Sequence, residues 1–365
     1  MFASFSKQPV PRNILLIQFG TIKDVVRALP LINILRMRYP FAKITWFATA
    51  EMIDFLNNYH LVDRIILAKP GWHKSLSEIK ALRRRFRNIA PDLCLDLQGN
   101  LISHFAAQLS GCRKRHSVNL SSARIFSKTK GLNQIAKSAL QQQLRLLESL
   151  DIAGASTDYD LPVIPVEGHT VGWIVRELGL ESAPFAILGI GVQSNSTYWE
   201  TNRYVQVARH LSRELDLPTI LHWQNEQERE LAETIIAESG GMVTLAPAIS
   251  PTQFAALARC AKVYVGVDND SLHIAAATGI PTIGVFRDAK SQWDGPECEN
   301  FQWVQAQGTP SRVPFGESFE NDPIQIDNYT YDVIEVCNAC DEILRPVVDD
   351  LLPERRHEHA SVIGV

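Results

Sequence analysis

The sequence has no apolar run long enough to cross a membrane. Its 365 residues are 45% hydrophobic, but no stretch approaches the roughly 18 uninterrupted apolar residues that a spanning helix needs. The opening segment MFASFSKQPVPRN has no continuous apolar core, and Pro9 and Pro11 interrupt it, which argues against a secretion signal. We therefore expect an intracellular, cytoplasmic protein.

The sequence is also short of cysteine and of net charge. A net charge of −4 does not favour nucleic acid as a partner, because binding to nucleic acid usually needs a basic surface. The scattered cysteines predict no disulfide framework. Cys337 and Cys340 form a single Cys-x-x-Cys pair. Zinc would need two further ligands, so we interpret the pair as two half-buried thiols on one helix face.

The sequence lacks the Gly-x-Gly-x-x-Gly turn at the start of either half, so we do not expect a dinucleotide-dependent oxidoreductase. What it does contain is a repeated alternation of apolar strands and helices. The alternation begins with NILLIQF at residues 13–19, and it restarts near residue 185 after a change in composition. Strands that alternate with helices are typical of a parallel sheet with helices on both faces.

This alternation predicts an α/β fold with two Rossmann-like, doubly wound parallel-sheet domains facing a cleft. The chain is long enough for two domains of ordinary size. We place an amino-terminal domain at residues 1–165 and a carboxyl-terminal domain at residues 166–352, with the linker near 162–170. The tail at 353–365 is expected to be disordered.

The stretch VYVGVDNDSLHIAAATGIPTIGVF at residues 263–286 predicts a strand, a polar turn, a short helix and a second strand. Asp268, Asn269 and Asp270 follow the first strand, and such residues cap helix amino ends. Ligands of open α/β sheets bind beyond the carboxyl ends of the strands, and a helix amino end favours anions. The turn therefore predicts a site for a phosphate-bearing ligand, with His273 beside it.

Two other interpretations of this turn stay open. One is a plain capped helix in an α/β protein, with a histidine whose hydrogen bonds are satisfied. The other is a metal site at Asp268 and Asp270. A hard divalent cation takes about six oxygen ligands, and no further ligand cluster accompanies the pair, so we expect no metal.

Four segments together resemble the lipopolysaccharide heptosyltransferases of glycosyltransferase family 9. In the order and spacing of that family they are ILLIQFGTIKDVVRALPLINILRMRYP at 14–40, DLCLDLQGNLISHFAAQLSGCRKR at 92–115, NEQERELAETI at 225–235 and VDNDSLHIAAATGIPTIGVF at 267–286. Each motif is weak alone, but the set is fairly specific for the family. It is not specific for one substrate.

The resemblance implies a GT-B fold, with the acceptor on the amino-terminal domain and a nucleotide-sugar donor on the carboxyl-terminal domain. It implies an inverting, metal-independent glycosyltransferase. Such an enzyme moves a heptose or a related sugar from an ADP-sugar, here ADP-heptose, to a lipopolysaccharide-core or similar acceptor. The expected partners are this donor and an anionic glycolipid or glycan acceptor, with no cofactor. Peripheral contact with the cytoplasmic face of the inner membrane is also expected.

The resemblance also implies roles for particular residues. Asp24 matches the family's catalytic base, whereas its position alone makes it an N-cap of a helix that starts at Val25. Glu228 matches a ribose-binding glutamate, with Glu226 as a competing register. The implied donor contacts are Thr21, Thr197, Glu228, Asp268, Asn269, Asp270 and His273.

On the acceptor side, the resemblance indicates Gln98 and a basic turn at Arg113, Lys114 and Arg115. This turn and the basic run at residues 83–87 suit an anionic acceptor or anionic lipid headgroups. A solvated helix face is the plainer interpretation of such a run.

The sequence departs from the family pattern at the expected diphosphate position. Thr197 stands where the family has a lysine, and Asp270 stands where it has a glycine. A lost cation and a gained anion both weaken diphosphate binding. Lys23 and Arg287 are the residues expected to restore positive charge. The alternatives are a catalytically impaired binding or scaffold protein on the same fold, and a transferase that uses a different nucleotide-sugar.

Overall fold

The computed structural model describes residues 10–56, 59–119, 129–131, 138–152, 159, 161, 165–181, 183–193, 196–197, 199–286, 295–305 and 331–344. These residues form two six-stranded sheets and a two-stranded hairpin. Every strand pair in the two large sheets is parallel. Within the described residues, no helix has the length and apolar character needed to span a membrane.

The first sheet is built from the amino-terminal half of the chain, and its strand order is β3-β2-β1-β4-β5-β6. Its elements are β1 (Asn13–Ile17), α1 (Ile22–Arg38), β2 (Lys43–Thr49), α2 (Ile53–Leu56), β3 (Arg64–Ala68), α3 (Leu76–Ile89), β4 (Leu93–Asp96), α4 (Leu101–Leu109), β5 (Arg115–Ser117), β6 (Thr129–Gly131) and α5 (Ala139–Glu148).

The second sheet repeats this topology with the order β11-β10-β7-β12-β13-β14. Its elements are α6 (Pro165–Glu177), β7 (Ala186–Gly189), the hairpin of β8 (Val192–Gln193) and β9 (Ser196–Thr197), α7 (Thr201–Arg213), β10 (Thr219–His222), α8 (Glu226–Ser239), β11 (Val243–Leu245), α9 (Pro251–Ala258), β12 (Val263–Val267), α10 (Asp270–Ala277), β13 (Thr282–Phe286), β14 (Phe301–Gln305) and α11 (Tyr331–Leu344).

Each sheet changes winding direction beside its first strand, between β1 and β4 in one and between β7 and β12 in the other. In such sheets the crevice outside the carboxyl ends at the switch point is where ligands bind. Because alternate side chains of a strand face opposite sides, Ile14 and Leu16 pack in one cluster and Leu15 and Ile17 in another. This burial on both faces confirms the predicted doubly wound arrangement.

The two sheets are joined by a shared apolar core. Helix α1 of the first half packs against α10 of the second, and α9 contacts α2. Val25 and Leu29 therefore belong to the same buried cluster as Phe254 and Leu272. The amino ends of α1 and α10 meet as a result of this packing.

The structure differs from the sequence expectations in three places. Strands β5, β6 and β14 are not predicted by the sequence, because short strands carry little periodic signal. Helix α6 begins inside the linker predicted near 162–170. Cys337 and Cys340 are buried rather than half-buried. Burial raises the pKa of Cys337 to about 12, so its thiol stays protonated and unreactive at neutral pH.

Helix α11 is fastened to α7 by two acidic residues of different burial. Asp332 is 1% exposed, and its Oδ2 accepts hydrogen bonds from Trp199 Nε1 at 2.8 Å and from Arg203 Nη1 at 2.5 Å. Nearer the other end of α11, Asp341 Oδ1 lies 2.8 Å from His210 Nε2 and is 37% exposed. Loss of one partner costs more at the buried contact, because the other charge is then left in the interior without its counterion.

We predict that Asp332→Ala lowers the free energy of unfolding by about 3–5 kcal/mol, because Arg203 is left buried without this carboxylate. The matched variant Asp341→Ala, at the more exposed pair, should cost less than about 1 kcal/mol. Urea denaturation of both variants measures the difference. Equal losses would contradict this ranking of the two contacts.

Candidate functional site

Asp24 lies at the amino end of α1, directly after the β1 turn. Its Oδ2 accepts a hydrogen bond from the Thr21 amide at 2.9 Å, and its Oδ1 lies 3.2 Å from Nη1 of Arg27. Helix α1 starts at Ile22, not at Val25, so Asp24 closes the helix end from within its first turn. Its side chain stays 22% exposed. The carboxylate is therefore both a structural cap and reachable from the cleft.

Gly20 is required by this arrangement. A Cβ atom at position 20 would lie 1.9 Å from the Oδ2 atom of Asp24. Any larger residue would therefore displace the carboxylate or the turn. Arg27, which the sequence expectations omit, is 6% exposed at its side chain. Its spacing of three residues from Asp24 on one helix is the signal that could have predicted it.

The amino end of α10 is organised by Asn269. Its Oδ1 accepts a hydrogen bond from the Leu272 amide at 3.0 Å, which caps the helix. Its Nδ2 donates to the Ile190 carbonyl at 2.9 Å, so the side chain also ties the end of β12 to the end of β7. The sequence prediction of a capped helix start is confirmed at this residue.

The half-buried Asp268 and the buried His273 form a pair beside that cap, with Oδ1 and Nε2 separated by 3.4 Å. Burial alone would raise the pKa of Asp268, but the His273 hydrogen bond and the charges of Lys23 and Arg27 outweigh it and lower the pKa. Burial lowers the pKa of His273. At neutral pH the pair is therefore a carboxylate and a neutral imidazole.

Lys23 joins the two domains across the cleft. Its backbone amide donates to Asp270 Oδ1 at 2.9 Å, and its Nζ lies 3.8 Å from Asp268 Oδ2. Burial raises the pKa of Asp270, as do the neighbouring charges of Asp24 and Asp268, although the Lys23 amide and ammonium oppose the shift. Lys23, Asp24, Asp268 and Asp270 thus form one charged cluster.

A cavity of about 340 Å³ opens beside this cluster. Its lining combines apolar and polar groups, including Ile22, His222, Gln224, Phe254, Asp270 and Ser271. The rings of His222 and Phe254 are stacked at 4.0 Å. Burial lowers the pKa of His222 to about 3, so the stacked imidazole is neutral. A cavity that combines apolar and polar lining groups suits a small organic ligand.

Glu228 lies in the first turn of α8, next to the Gln224 that lines the cavity. It is 3% exposed, and its Oε2 accepts a hydrogen bond from the Gln224 amide at 2.7 Å. Burial raises its pKa. Glu226, the competing register, faces solvent and pairs with Arg229 at 2.6 Å. The structure therefore places only Glu228 towards the cleft.

Gln98 is brought close to the β1 turn, because its Oε1 accepts a hydrogen bond from the Phe19 amide at 3.3 Å. The buried carboxylate of Asp96 holds the Gln98 turn through the amides of residues 98 and 99, and His104 Nδ1 contacts that carboxylate at 2.5 Å. The sequence expectations omit both Asp96 and His104.

The basic turn at Arg113, Lys114 and Arg115 does not join the cluster. Strand β5 opens at Arg115, which pairs in register with Cys94, whereas the carboxyl end of the strand is Ser117 beside Asp96. Because parallel strands share one carboxyl edge, the basic turn lies towards the opposite edge of the sheet from the cleft. Arg115 Nη1 donates to the Cys112 carbonyl at 2.6 Å.

Two of the expected residues lie partly or wholly outside the described part of the structure. Thr197 belongs to β9, but its side chain is outside the described part of the structure, and Arg287 lies outside it altogether. In the part of the chain that the structure describes, no group of three or more His, Cys, Asp or Glu residues is arranged to hold a metal ion.

The geometry defines the class of protein before any comparison. Two doubly wound domains face a cleft in which two helix amino ends meet, with an accessible carboxylate on one side and a cavity on the other. Helix amino ends favour anionic groups, and a positioned carboxylate can accept a proton. This is the arrangement of an α/β protein whose cleft suits an anionic ligand.

Comparison with known proteins supplies the family. The model of glycosyltransferase family 9 (heptosyltransferase) matches residues 79–312. Since the match covers more than half of the chain, the chain belongs to glycosyltransferase family 9 and is a glycosyltransferase. Lipopolysaccharide heptosyltransferase 1 of Pseudomonas aeruginosa is 23% identical over 338 residues, which are 88% of this chain and 88% of that protein.

Solved structures agree on the GT-B fold. The glycosyl transferase family 9 protein from Veillonella parvula superimposes with a TM-score of 0.75 at 16% identity, covering 91% of this chain and 97% of that one. The E. coli heptosyltransferase WaaC with ADP-2-deoxy-2-fluoro heptose gives a TM-score of 0.64 at 20% identity, covering 81% and 94%. At these identities the likeness supports the fold alone.

We predict that Gly20→Ala lowers the free energy of unfolding by about 1–3 kcal/mol, because the added methyl overpacks the contact with Asp24. The matched variant Gly172→Ala lies in helix α6, where a Cβ meets nothing within 4 Å. It should be neutral or stabilising by up to about 1 kcal/mol. Urea denaturation distinguishes the two, and a neutral Gly20→Ala would show that the turn relaxes freely.

Proposed function

We propose that this glycosyltransferase moves a heptose, or a related sugar, from an ADP-sugar to a lipopolysaccharide-core or similar anionic acceptor. The transfer inverts the anomeric centre and uses neither a metal nor a cofactor. The observation that carries the proposal is the position of Asp24: an accessible carboxylate at the cleft edge of one domain, facing the capped helix end and cavity of the other. The acceptor is assigned to residues 1–165 and the donor to residues 166–352.

The proposed reaction is a single displacement. Asp24 accepts the proton of the acceptor hydroxyl while the hydroxyl oxygen forms a bond to the anomeric carbon of the donor. The bond between that carbon and the diphosphate oxygen breaks, and its electron pair leaves with the nucleoside diphosphate. Attack opposite to the leaving group inverts the configuration. Asp24 needs no metal for this role.

The donor assignment follows from the groups around the cavity. The base is assigned to the cavity that His222 and Phe254 line, and the ribose hydroxyls are assigned to Glu228, which lies next to the cavity-lining Gln224. Asp268, kept ionised by its lowered pKa, can accept hydrogen bonds from sugar hydroxyls. The choice of ADP is supported by a relative of the same fold, the E. coli WaaC, whose structures contain ADP and an ADP-heptose analogue.

The leaving diphosphate is assigned to the space between the amino ends of α1 and α10. Both helix ends carry partial positive charge, and the Nζ of Lys23 adds a full charge within 3.8 Å of Asp268. Thr21 and Asn269 stand at the two caps, with His273 behind the second. Charge that develops on the leaving group is stabilised by such preorganised groups.

The acceptor is assigned to the side of Gln98, which adjoins the β1 turn. A glycolipid acceptor would hold the enzyme at the cytoplasmic face of the inner membrane. Helix α3 supports this location, because Arg83, Arg84, Arg85 and Arg87 are all exposed on it, and basic side chains are attracted to anionic headgroups.

A second candidate is a binding or scaffold protein with impaired catalysis. The specific observation in its favour is the Asp270 carboxylate, which adds a negative charge between Asp24 and Asp268, where a diphosphate is expected. The two candidates make opposite predictions for nucleotide binding and transfer.

We predict that Asp24→Asn lowers the transfer rate by at least about 100-fold, the usual contribution of a general base. The amide oxygen of asparagine can still accept the Thr21 hydrogen bond, so the fold should not change, and ADP should bind at least as tightly because one negative charge beside the diphosphate is removed. Asp216→Asn is the matched control, because Asp216 is exposed and has a φ of 53° that asparagine also adopts. The measurement is the transfer of sugar from ADP-heptose, monitored through the release of ADP. Unaltered transfer would remove Asp24 from the mechanism.

We also predict that ADP binds more tightly than GDP or UDP in calorimetric titration. Asp268→Ala should weaken that binding at least tenfold, because the removed carboxylate holds His273 and Lys23 in place. If none of the three nucleotides binds at millimolar concentration, the scaffold candidate replaces the transferase. Preference for GDP or UDP would instead change the donor class.

A further inference from the structure

The amino end of α1 already holds an anion that the protein itself supplies. The Asp270 carboxylate reaches from the first turn of α10 across the cleft and accepts a hydrogen bond from the Lys23 amide at 2.9 Å. Lys23 is the second residue of the 17-residue helix α1. An amide in the first turn has no partner within its own helix, so a carboxylate from the other domain occupies it.

This contact has the chemistry of a phosphate site. Helix amino ends bind carboxylate and phosphate oxygens in the same way, through free amides and the positive end of the helix dipole. A diphosphate placed between α1 and α10 needs the amide that Asp270 holds. The two anions cannot share one donor, so binding of one displaces the other.

A second observation marks the same place. Ser271 follows Asp270, is 1% exposed and lines the same cavity. Its Oγ has no hydrogen-bond partner among the residues that the structure describes. Buried hydroxyls are normally hydrogen-bonded, so a ligand oxygen beside Asp270 would supply the partner that Ser271 lacks.

The charges around Asp270 oppose a second anion. Asp24 faces it from α1, Asp268 from the end of β12 and Glu228 from α8, while Lys23 is the cation closest to its carboxylate. The neighbouring His273 is neutral, and Arg27 contacts Asp24. A diphosphate that enters while Asp270 is ionised therefore meets three further carboxylates.

We propose that the Asp270 carboxylate is an internal competitor of the donor diphosphate at the amino end of α1, and that it limits the affinity of the site for diphosphates. The inference rests on the proposed function, because it requires a phosphate-bearing donor. Asp270 thereby determines which donors are retained. A ligand must contribute enough binding energy through its base and sugar to displace the carboxylate, so free pyrophosphate is rejected.

The test compares the wild-type chain with Asp270→Asn in calorimetric titrations with inorganic pyrophosphate, ADP and adenosine. The asparagine side chain is the same size and its oxygen can still accept from the Lys23 amide, but it carries no charge. We expect pyrophosphate and ADP to bind at least tenfold more tightly to Asp270→Asn, with adenosine unchanged. Glu230→Gln removes one exposed negative charge of the same domain and should change none of the three affinities.

The pH dependence separates competition from a merely structural role. Because burial raises its pKa, Asp270 takes up a proton at a higher pH than an ordinary aspartate does, and the wild type then loses the competing charge. The pyrophosphate affinity of Asp270→Asn divided by that of the wild type should therefore decrease as the pH falls. Protonation of pyrophosphate itself affects both proteins equally and leaves the ratio unchanged.

Equal or weaker binding of pyrophosphate by Asp270→Asn would overturn the inference, because the carboxylate would then be neutral or helpful to the ligand. Asp270→Gly is a second variant that removes the side chain entirely, and it should also bind pyrophosphate more tightly than the wild type does. A gain for pyrophosphate with no preference for ADP over GDP and UDP would support the competition while rejecting the donor assigned above. Failure of the competition proposal can therefore be distinguished from failure of the proposed donor.

Discussion

The packing of α1 against α10 is the contact on which the rest of the site depends. Each helix starts directly after a central strand of its own sheet, so their amino ends reach the switch points of two different domains. Because apolar residues hold these helices together, the polar residues of their first turns are forced to share one cleft. Asp24, Lys23 and Asp270 meet for this reason, although 247 positions separate the last two along the chain.

The charged cluster shows how one set of residues serves both stability and chemistry. Asp24 closes the amino end of its own helix and remains partly exposed, so its capping contact orients the carboxylate without burying it. His273 holds Asp268 in a similar manner from behind. A catalytic group needs such support, because the reaction is slower when a side chain must first be ordered. The GT-B fold of family 9 thus positions the two helix amino ends, and the residues in the first turns of those helices supply the charged groups.

The sequence predicts the parts of this site that depend on local chemistry. The strand, short helix and second strand predicted within residues 263–286 are observed as β12, α10 and β13, because a short apolar run ends there in a polar turn. The Asn269 cap follows from residue type alone. The contact between Asp270 and the Lys23 amide could not be predicted, since it depends on how two domains are packed. The edge of the sheet on which Arg113–Arg115 lie could not be predicted, because β5 has only three residues and gives little signal in the sequence.

The apolar cluster that runs through both domains has a consequence for how the chain is made and handled. Val25 and Leu29 on one side and Phe254 and Leu272 on the other lie in one buried cluster that spans both domains. Either domain produced alone would expose a contiguous apolar face, and such faces promote aggregation. The chain is thus two domains by topology, but the shared cluster makes them depend on each other for burial of these apolar side chains.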